Sequence, residues 1–408
     1  MHSTLNQANS AGKGHLRELM PALKNKKYFN YGGQGPLPKP SLEAINESWE
    51  EIQEMGPFSN DVFAYISREI TKTKELLASM CMVTPNQIAL TENVTSGCIL
   101  PLWGLPFKTG DRFLISDCEH PGVVAACKEL AKRKGIFIDV LPIQNLRYSL
   151  AQIDDLERVF LDLIDKYITP STRLVVVSHI LWNTGQVIPI KALGDYLKSQ
   201  VSKPYLLVDG AQSFGQIAIN EEAKIADIYA FTGHKWACGP EGLGGVALSG
   251  RVLTESQPTL IGWRALKNEN TILNSTDNLF HNDGRRFEIA TSCVPLLAGL
   301  RCSLGLLEKE GALIERSNII QQKSAALWLE LSKIDLVEPL LEGNPPAGLV
   351  SFTHKGRASP RKIVQKLGTS AIWIRDLVEP KSLRACVHVT TDEGEMRSLI
   401  EAIKAIKI

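Results

Sequence analysis

The sequence predicts an α/β protein, with a large doubly wound domain on a mainly parallel sheet and a smaller α+β C-terminal domain. Three observations carry this. Between about Thr91 and Ser249, short apolar runs that read as strands alternate with segments whose apolar residues recur every three or four positions. Two of those runs, Tyr205-Leu206-Leu207-Val208 and the stretch from Ile225 to Phe231, read as strands buried on both faces, as a covered parallel sheet requires. At 408 residues, finally, the chain is too long for one small core and suits two lobes.

The elements follow in order. Residues 1–27 read as a tail and a segment packing with the smaller lobe, and the polar first fourteen are expected to be disordered. Residues 28–268 make the large domain and residues 269–408 the small one. Residues 91–97 stand where a strand hands over to an apolar helix at 98–105. A strand at 112–115 precedes a helix at 121–134, and a strand at 137–141 precedes a helix at 156–167. A strand at 173–178 precedes a helix at 190–199. The next strand ends at Asp209 and its neighbour at Thr232. Residues 242–249 add a strand of open direction. From about Pro258 to Arg286 the pattern gives way to a polar, Asn-containing loop, and long loops in compact enzymes are more often functional than idle. Helices at 294–310 and 314–331 and strands at 348–353, 371–375 and 383–389 complete the small lobe.

Bulk composition excludes several function classes. Net charge is +1, with 44% hydrophobic and 22% charged residues, so nothing steers the chain toward nucleic acid or an acidic membrane. No apolar run reaches membrane-spanning length, and the first fifteen residues lack a hydrophobic signal core. The eight cysteines show no metal-ligand spacing, and their scatter fits a reducing cytoplasm. A cytoplasmic protein without a metal site is expected.

The chemistry gathers at strand ends. Asp209 and Lys235 close two adjacent strand–loop junctions, where open α/β sheets place their reactive groups. A desolvated lysine loses its proton easily and can form a Schiff base. An aspartate can keep a pyridine nitrogen protonated. Together they describe a pyridoxal phosphate (PLP) site, in which the cofactor is the electron sink. Either residue alone also reads as a turn cap or a surface lysine. Thr95 and Ser96, at a helix start, can cradle the phosphate, although an ordinary N-cap looks the same. Thr232 and His234 supply further donors. His120 follows a strand end and can stack on the ring. Asn183 and Gln212 carry amide N–H groups able to donate to the phenolic oxygen. Arg384, a charge within an apolar strand, can grip a substrate carboxylate with its planar fork, or serve a structural salt bridge.

These residues sit in strings that resemble class V aminotransferases, the fold-type I PLP enzymes that include cysteine desulfurases. The strings are Tyr31-Gly32-Gly33-Gln34-Gly35, Gly56-Pro57-Phe58-Ser59, Leu102-Trp103-Gly104-Leu105, Asp117-Cys118-Glu119-His120-Pro121-Gly122 and Leu181-Trp182-Asn183-Thr184-Gly185-Gln186-Val187. They continue in Asp209-Gly210-Ala211-Gln212-Ser213, Phe231-Thr232-Gly233-His234-Lys235-Trp236, Gly262-Trp263-Arg264, Arg286-Phe287-Glu288-Ile289-Ala290-Thr291-Ser292 and Leu383-Arg384-Ala385-Cys386-Val387-His388. Within the family the chain looks most like the cyanobacterial L-cysteine/cystine C–S lyase branch. The resemblance implies that Lys235 carries the cofactor and then moves the substrate Cα proton. His120 would stack on the ring, Asp209 would pair with its nitrogen, and Asn183 and Gln212 would lie near the phenolic oxygen and the substrate. Thr95, Ser96, Thr232 and His234 would hold the phosphate. The resemblance also implies a homodimer. In it, Thr291 would reach the neighbouring subunit's cofactor phosphate, and Trp263 would line that subunit's entrance. Arg384 would take the α-carboxylate, with Gly33 and Gln34 close by.

One departure from the desulfurases points to the branch. Those enzymes need a nucleophilic cysteine on a mobile loop, and no cysteine lies between Cys302 and Arg384. Cys386 shares a strand face with Arg384 by period two, but a strand offers no swinging nucleophile. The expected reaction is therefore β-elimination from cystine or cysteine, giving pyruvate, ammonia and a persulfide or sulfide. The alternatives are a cysteine desulfurase or selenocysteine lyase giving alanine, and an amino-acid epimerase of the isopenicillin N type. Arg264 is a further candidate for a second substrate carboxylate. The fate of the sulfur, iron–sulfur cluster supply or simple degradation, is not written in the sequence.

Overall fold

The computed structural model describes residues 15–268, 278–290 and 292–406. The polar tail to residue 14, part of the expected loop at 258–286, and Thr291 lie outside the described residues. Two short 3-10 turns lead into β1 (Lys27–Tyr28), followed by the long helices α1 (Lys39–Met55) and α2 (Asn60–Cys81). The chain then alternates through β2 (Ile88–Thr91), α3 (Val94–Trp103), β3 (Arg112–Ser116), α4 (Pro121–Lys134), β4 (Phe137–Leu141) and α5 (Ile153–Tyr167). It continues through β5 (Thr172–Ser178), α6 (Ile190–Ser199), β6 (Tyr205–Asp209), α7 (Asn220–Ile225), β7 (Ile228–Thr232) and β8 (Gly244–Leu248).

Strands β2 to β8 form one sheet in the order β2-β8-β7-β6-β5-β3-β4. Only β8 runs against its neighbours β2 and β7, which settles the direction the sequence left open. Side chains alternate between two cores, as period two demands. Leu114, Val175, Val177, Leu206, Val208, Tyr229 and Phe231 enter one core. Phe113, Ile115, Leu174, Val176, Leu207, Ile228 and Ala230 enter the other. Helices cover both faces, so the central strands carry no polar stripe and read as continuous apolar runs.

After β8 come α8 (Gly250–Glu255), short 3-10 turns at Trp263–Ala265 and Gly284–Phe287, and the helices α9 (Pro295–Lys309) and α10 (Leu313–Ser332). A second sheet is built from β9 (Val337–Pro339), β10 (Leu349–His354), β12 (Arg375–Leu377) and β13 (Ser382–Cys386), antiparallel throughout in the order β12-β13-β10-β9. Its core joins α10 and α12 (Glu393–Lys404) through Leu327, Val350, Phe352, Leu383, Leu399 and Ile403. Helix α11 (Pro360–Gly368) and strand β11 (Ile372–Trp373) precede β12, and β11 pairs in parallel with β1.

Four boundaries differ from expectation. The strand expected from Ile225 begins at Ile228, because residues 220–225 coil into α7 with Glu221 and Glu222 in its first turn. The helix expected at 98–105 starts at Val94, because the Asn93 side chain caps it by accepting from the Ser96 N–H at 2.9 Å. The strand expected at 371–375 is two strands, one serving β1 and the other β13. The strand expected to reach Val389 stops at Cys386. A turn then closes at His388–Thr391 and hands over to the Asp392 cap of α12.

Candidate active site

A cavity of about 400 Å³ opens at the carboxyl ends of the parallel strands. His120 comes from the end of β3, Ser178 and Trp182 from β5, Asp209 from β6, and His234 and Lys235 from beyond β7. Asn93 and Thr95 bring the N-terminus of α3 to its wall. Gly32 and Gly33 close it from the N-terminal segment, and Arg375 and Arg384 from the second sheet.

Lys235 is half-buried and its side chain lines the cavity. Its amine makes no hydrogen bond or ion pair among the described residues. Burial lowers its pKa from 10.5 to about 8, against the opposing pull of Asp209. The backbone is pinned: the Gly35 N–H donates to the His234 carbonyl at 2.7 Å, and a Cβ on Gly35 would meet the Lys235 carbonyl oxygen at 2.1 Å. With a pKa of about 8, roughly a quarter of the amine is neutral at about pH 7.5, against about 0.1% for an ordinary lysine. Covalent capture of an aldehyde cofactor by the cofactor-free protein should therefore accelerate as pH rises and level off above about 8. Stopped-flow absorbance checks this; a midpoint near the ordinary lysine value of 10.5 would refute the shift.

Asp209 is buried, and its Oδ1 accepts the Ala211 N–H at 2.9 Å. Its other oxygen has no partner among the described residues, so a buried acceptor awaits a donor in the cavity. The surroundings brace it. The His179 N–H donates to the Asp209 carbonyl at 3.0 Å, and His179 Nδ1 meets the Tyr229 hydroxyl at 2.7 Å. Burial lowers His179 to about 3, so it is neutral. Glu119, beside His120, is buried and held by Ser116 and by the N–H and hydroxyl of Ser178, both at 2.8 Å. Burial, with Asp209 nearby, raises it to about 7. His120 caps α4, with Nδ1 accepting the Gly122 N–H at 3.2 Å. Desolvation lowers its pKa despite Asp209, which favours the neutral ring suited to stacking.

Arg384 is only 2% exposed. Its Nη1 donates to the Trp182 carbonyl at 2.7 Å, its Nε has no partner, and no carboxylate pairs with it among the described residues. Burial lowers its pKa. A buried, unpaired guanidinium is costly, and the cavity is where its anion must arrive. Arg375 stands directly opposite on β12, in register with Arg384, and also lines the cavity without an ion pair among the described residues. The sequence reading missed Arg375. Its position at the end of the apolar run Ala371-Ile372-Trp373-Ile374 was the available signal.

The structure brings Thr95, His120, Asp209, Gln212, His234, Lys235, Gly33 and Arg384 to the cavity wall. Five other expected residues are not on it. Ser96 lies in the first turn of α3, its N–H engaged by Asn93. Asn183 is buried with Nδ2 toward Cys118 Sγ at 3.5 Å and Oδ1 accepting the Thr184 N–H at 2.9 Å. Thr232 stands behind His234, hydroxyl to Nδ1 at 2.7 Å. Gln34 bonds Glu241. Trp263 sits on an exposed turn. Arg264 does not line the cavity and pairs at 3.3 Å with Glu288, which also holds Lys74 at 2.6 Å. Cys386 is buried, with Sγ near the Gly32 N–H at 3.4 Å, and does not line the cavity.

The wall fits the expected cofactor. An unpartnered carboxylate oxygen suits a protonated ring nitrogen, and a free amine of lowered basicity suits an aldehyde. The α3 N-terminus with Thr95 and His234 suits a phosphate. No described cluster of His, Cys, Asp or Glu could hold a metal, and no described helix is long and apolar enough to cross a membrane.

Known proteins agree with this architecture. The aminotransferase class-V family model matches residues 28–394. A solved cystine C–S lyase, C-DES, in complex with its reaction product cysteine persulfide, is 39% identical over 95% of this chain and 99% of its own, with a TM-score of 0.88. A lysine-to-alanine variant of C-DES, with glycine covalently linked to its PLP cofactor, is 38% identical over 96% and 99%, with a TM-score of 0.89. A probable cysteine desulfurase of Methanothermobacter thermautotrophicus is 26% identical over 88% of this chain and 86% of its own length. An isopenicillin N epimerase of Amycolatopsis lactamdurans is 26% identical over 95% and 96%.

Proposed function

The chain belongs to the class-V aminotransferase family, and on that premise we propose that it breaks the Cβ–S bond of cystine by β-elimination. Its cofactor is pyridoxal phosphate. When bound, that cofactor supplies a protonated ring that accepts the electron pair left at Cα. Everything else falls to side chains. Lys235 would anchor the cofactor and, with its amine free, would take the Cα proton at Nζ; burial leaves that amine about half neutral near pH 8. Asp209 would hold the ring nitrogen protonated through a charge-assisted bond. His120 would pack on the ring. Thr95, His234 and the α3 amides would grip the phosphate. Arg384 would take the α-carboxylate.

The balance is that of an elimination and a hydrolysis. The Cα–H and Cβ–S bonds break, and the sulfur leaves as cysteine persulfide with the bonding pair. Water then converts the three-carbon remainder into pyruvate and ammonia. A persulfide is a better leaving group than a thiolate because it is less basic.

One observation carries cystine as substrate: the buried Arg384 and the more exposed Arg375, neither in an ion pair among the described residues, face each other across β12 and β13 at the cavity. Like charges opposite each other are unfavourable unless anions come between them. Cystine brings two carboxylates. Among the described residues no cysteine lines the cavity wall, and Cys386 sits behind Gly32 on a strand rather than on a loop. Purified protein given PLP and cystine should yield pyruvate and sulfane sulfur in equal amounts. Alanine as the main product would sink the reading in favour of a desulfurase, and an epimerised amino acid without pyruvate in favour of an epimerase.

Arg375 gives a sharper test. Arg375→Ala should lower kcat/KM for cystine by about 10- to 100-fold, the worth of one charged hydrogen-bonded contact. Cysteine, with no distal carboxylate, should lose less than about threefold, within the range of an ordinary surface substitution. Equal losses on both substrates would remove Arg375 from distal recognition.

The functional unit we propose is a homodimer. Leu260, Ile261 and Trp263 form an exposed apolar stretch of the chain. A second copy would cover it, with Trp263 and Thr291 serving the neighbour's cavity.

A further inference from the structure

Gln212 lies three residues beyond Asp209, is buried, and lines the cavity. Its side-chain amide is tied at both ends. Nε2 donates to the Gly32 carbonyl at 2.9 Å, and Oε1 accepts the Trp236 indole N–H at 2.9 Å. The indole nitrogen can only donate and the backbone carbonyl can only accept, so the amide cannot be turned over without losing both bonds. Its oxygen lies against Trp236 and Gly32, where a Cβ on Gly32 would come within 2.8 Å of it. Its nitrogen keeps one N–H beyond the bond to Gly32. What Gln212 offers a cavity ligand is therefore a hydrogen-bond donor.

Trp236 is itself immobilised. It is fully buried directly after Lys235. Tyr31 stacks on it at 6.1 Å, and His388 stacks on Tyr31 at 4.3 Å. His388 Nε2 meets the Trp236 carbonyl at 3.2 Å, and its Nδ1 meets the Thr390 hydroxyl at 2.9 Å. That hydroxyl also bonds Tyr31 Oη at 2.7 Å. A Cβ on Gly348 would lie 2.8 Å from the indole edge, so the ring has no room to swing. The titratable groups in this stack are His388, which burial, with Lys323 and Arg316 nearby, lowers to about 3, and Tyr31, which burial raises well above its ordinary value. The clamp thus keeps one protonation state across working pH.

We propose that Trp236 is a positioning residue that locks Gln212 as a donor toward the phenolic oxygen of bound PLP. The proposal rests on reading the cavity as a PLP site. A donor at that oxygen stabilises its anion and so lowers the pH at which the bound chromophore loses its proton. Neither residue is needed to hold Lys235 covalently to the cofactor, so the effect is spectroscopic before it is catalytic.

The test is a pH titration of the visible absorbance of the PLP-loaded protein, with no substrate present. Trp236→Phe should raise the midpoint by about one pH unit, the worth of one hydrogen bond. Gln212→Leu should raise it equally, and the double variant should add nothing further, because both remove one interaction. Benzothienylalanine in place of Trp236 keeps the ring's volume and replaces N–H with sulfur. It should shift the midpoint like Trp236→Phe, and it serves where the phenylalanine variant does not fold. An unshifted midpoint in the benzothienyl protein, or shifts that add in the double variant, would overturn the proposal. Failure of the cofactor reading would look different: the unsubstituted protein would show no visible band on adding PLP.

Discussion

Lys235→Ala is expected to lower pyruvate formation by roughly 10⁴-fold or more, the upper range for losing a positioned general base, with the loss of covalent anchoring added. Among the described residues, no other side chain on the wall is assigned to take over. The Nδ1 of His234 is tied to the Thr232 hydroxyl, and the Nδ1 of His120 accepts the Gly122 N–H. Asp209 is engaged by the Ala211 N–H and is assigned to the ring nitrogen. Arg375 and Arg384 are too basic to accept a proton near neutrality. The variant should keep its fold, because the Lys235 amine supports no hydrogen bond or ion pair among the described residues. It should also still bind PLP reversibly through the phosphate cradle, so its spectrum is that of free aldehyde rather than of a lysine adduct. Mass spectrometry after borohydride reduction would show PLP fixed to the unsubstituted chain and not to the variant. Retained pyruvate formation would mean that the proton is moved by another group, and the assignment of Lys235 would fall.

Much of this site could be read before the fold was seen, for a physical reason. Asp209 and Lys235 end strands whose apolar runs are long enough to mark β6 and β7, and a strand's carboxyl end has a fixed place in a parallel sheet. His120 was found in the same way, after β3. What the sequence could not show is which way a side chain turns once it arrives. Asn183 and Thr232 lie at or after strand ends but stay off the cavity wall, and each spends its polar atoms on a near neighbour. Local competition of that kind is set by distances of tenths of an ångström, not by residue type.

Arg375 and Arg264 show the converse. Arg375 belongs to the site only because β12 pairs with β13 in one register, and a slip of one residue would turn it to the other face. Register across a hairpin of this length is not readable from composition. Arg264 looked available because it stood beside Trp263, but its partner Glu288 is 24 residues away in sequence. The long helices α1 and α2 were not assigned in advance, although α2 begins with the Ser59 cap that sequence reading uses. The split of residues 371–375 into β11 and β12 arises because the N-terminal segment adds β1 alongside, a pairing across the whole chain.

Arg384→Leu should separate recognition from stability, with opposite signs on the two. The buried guanidinium has an unpartnered Nε, one bond to the Trp182 carbonyl, and no carboxylate among the described residues. In the absence of substrate it is a desolvated charge without a counter-ion, which burdens the fold. An apolar side chain of smaller volume removes that burden and loses one hydrogen bond. The melting temperature of the substrate-free protein should therefore hold or rise by about 1–3 °C, as small stability gains do in chains of this size. Catalysis should move the other way. Removing one partner of a buried pair costs about 3–5 kcal/mol, so kcat/KM for cystine and for cysteine should both fall by roughly 10²- to 10³-fold. Arg384→Lys should recover little of this, because an ammonium cannot match a carboxylate with two parallel bonds. The loss on both substrates distinguishes Arg384 from Arg375, whose removal should spare cysteine. A large drop in melting temperature for Arg384→Leu, with kinetics falling only in proportion to unfolding, would make Arg384 a structural cation and leave the substrate carboxylate without its receptor.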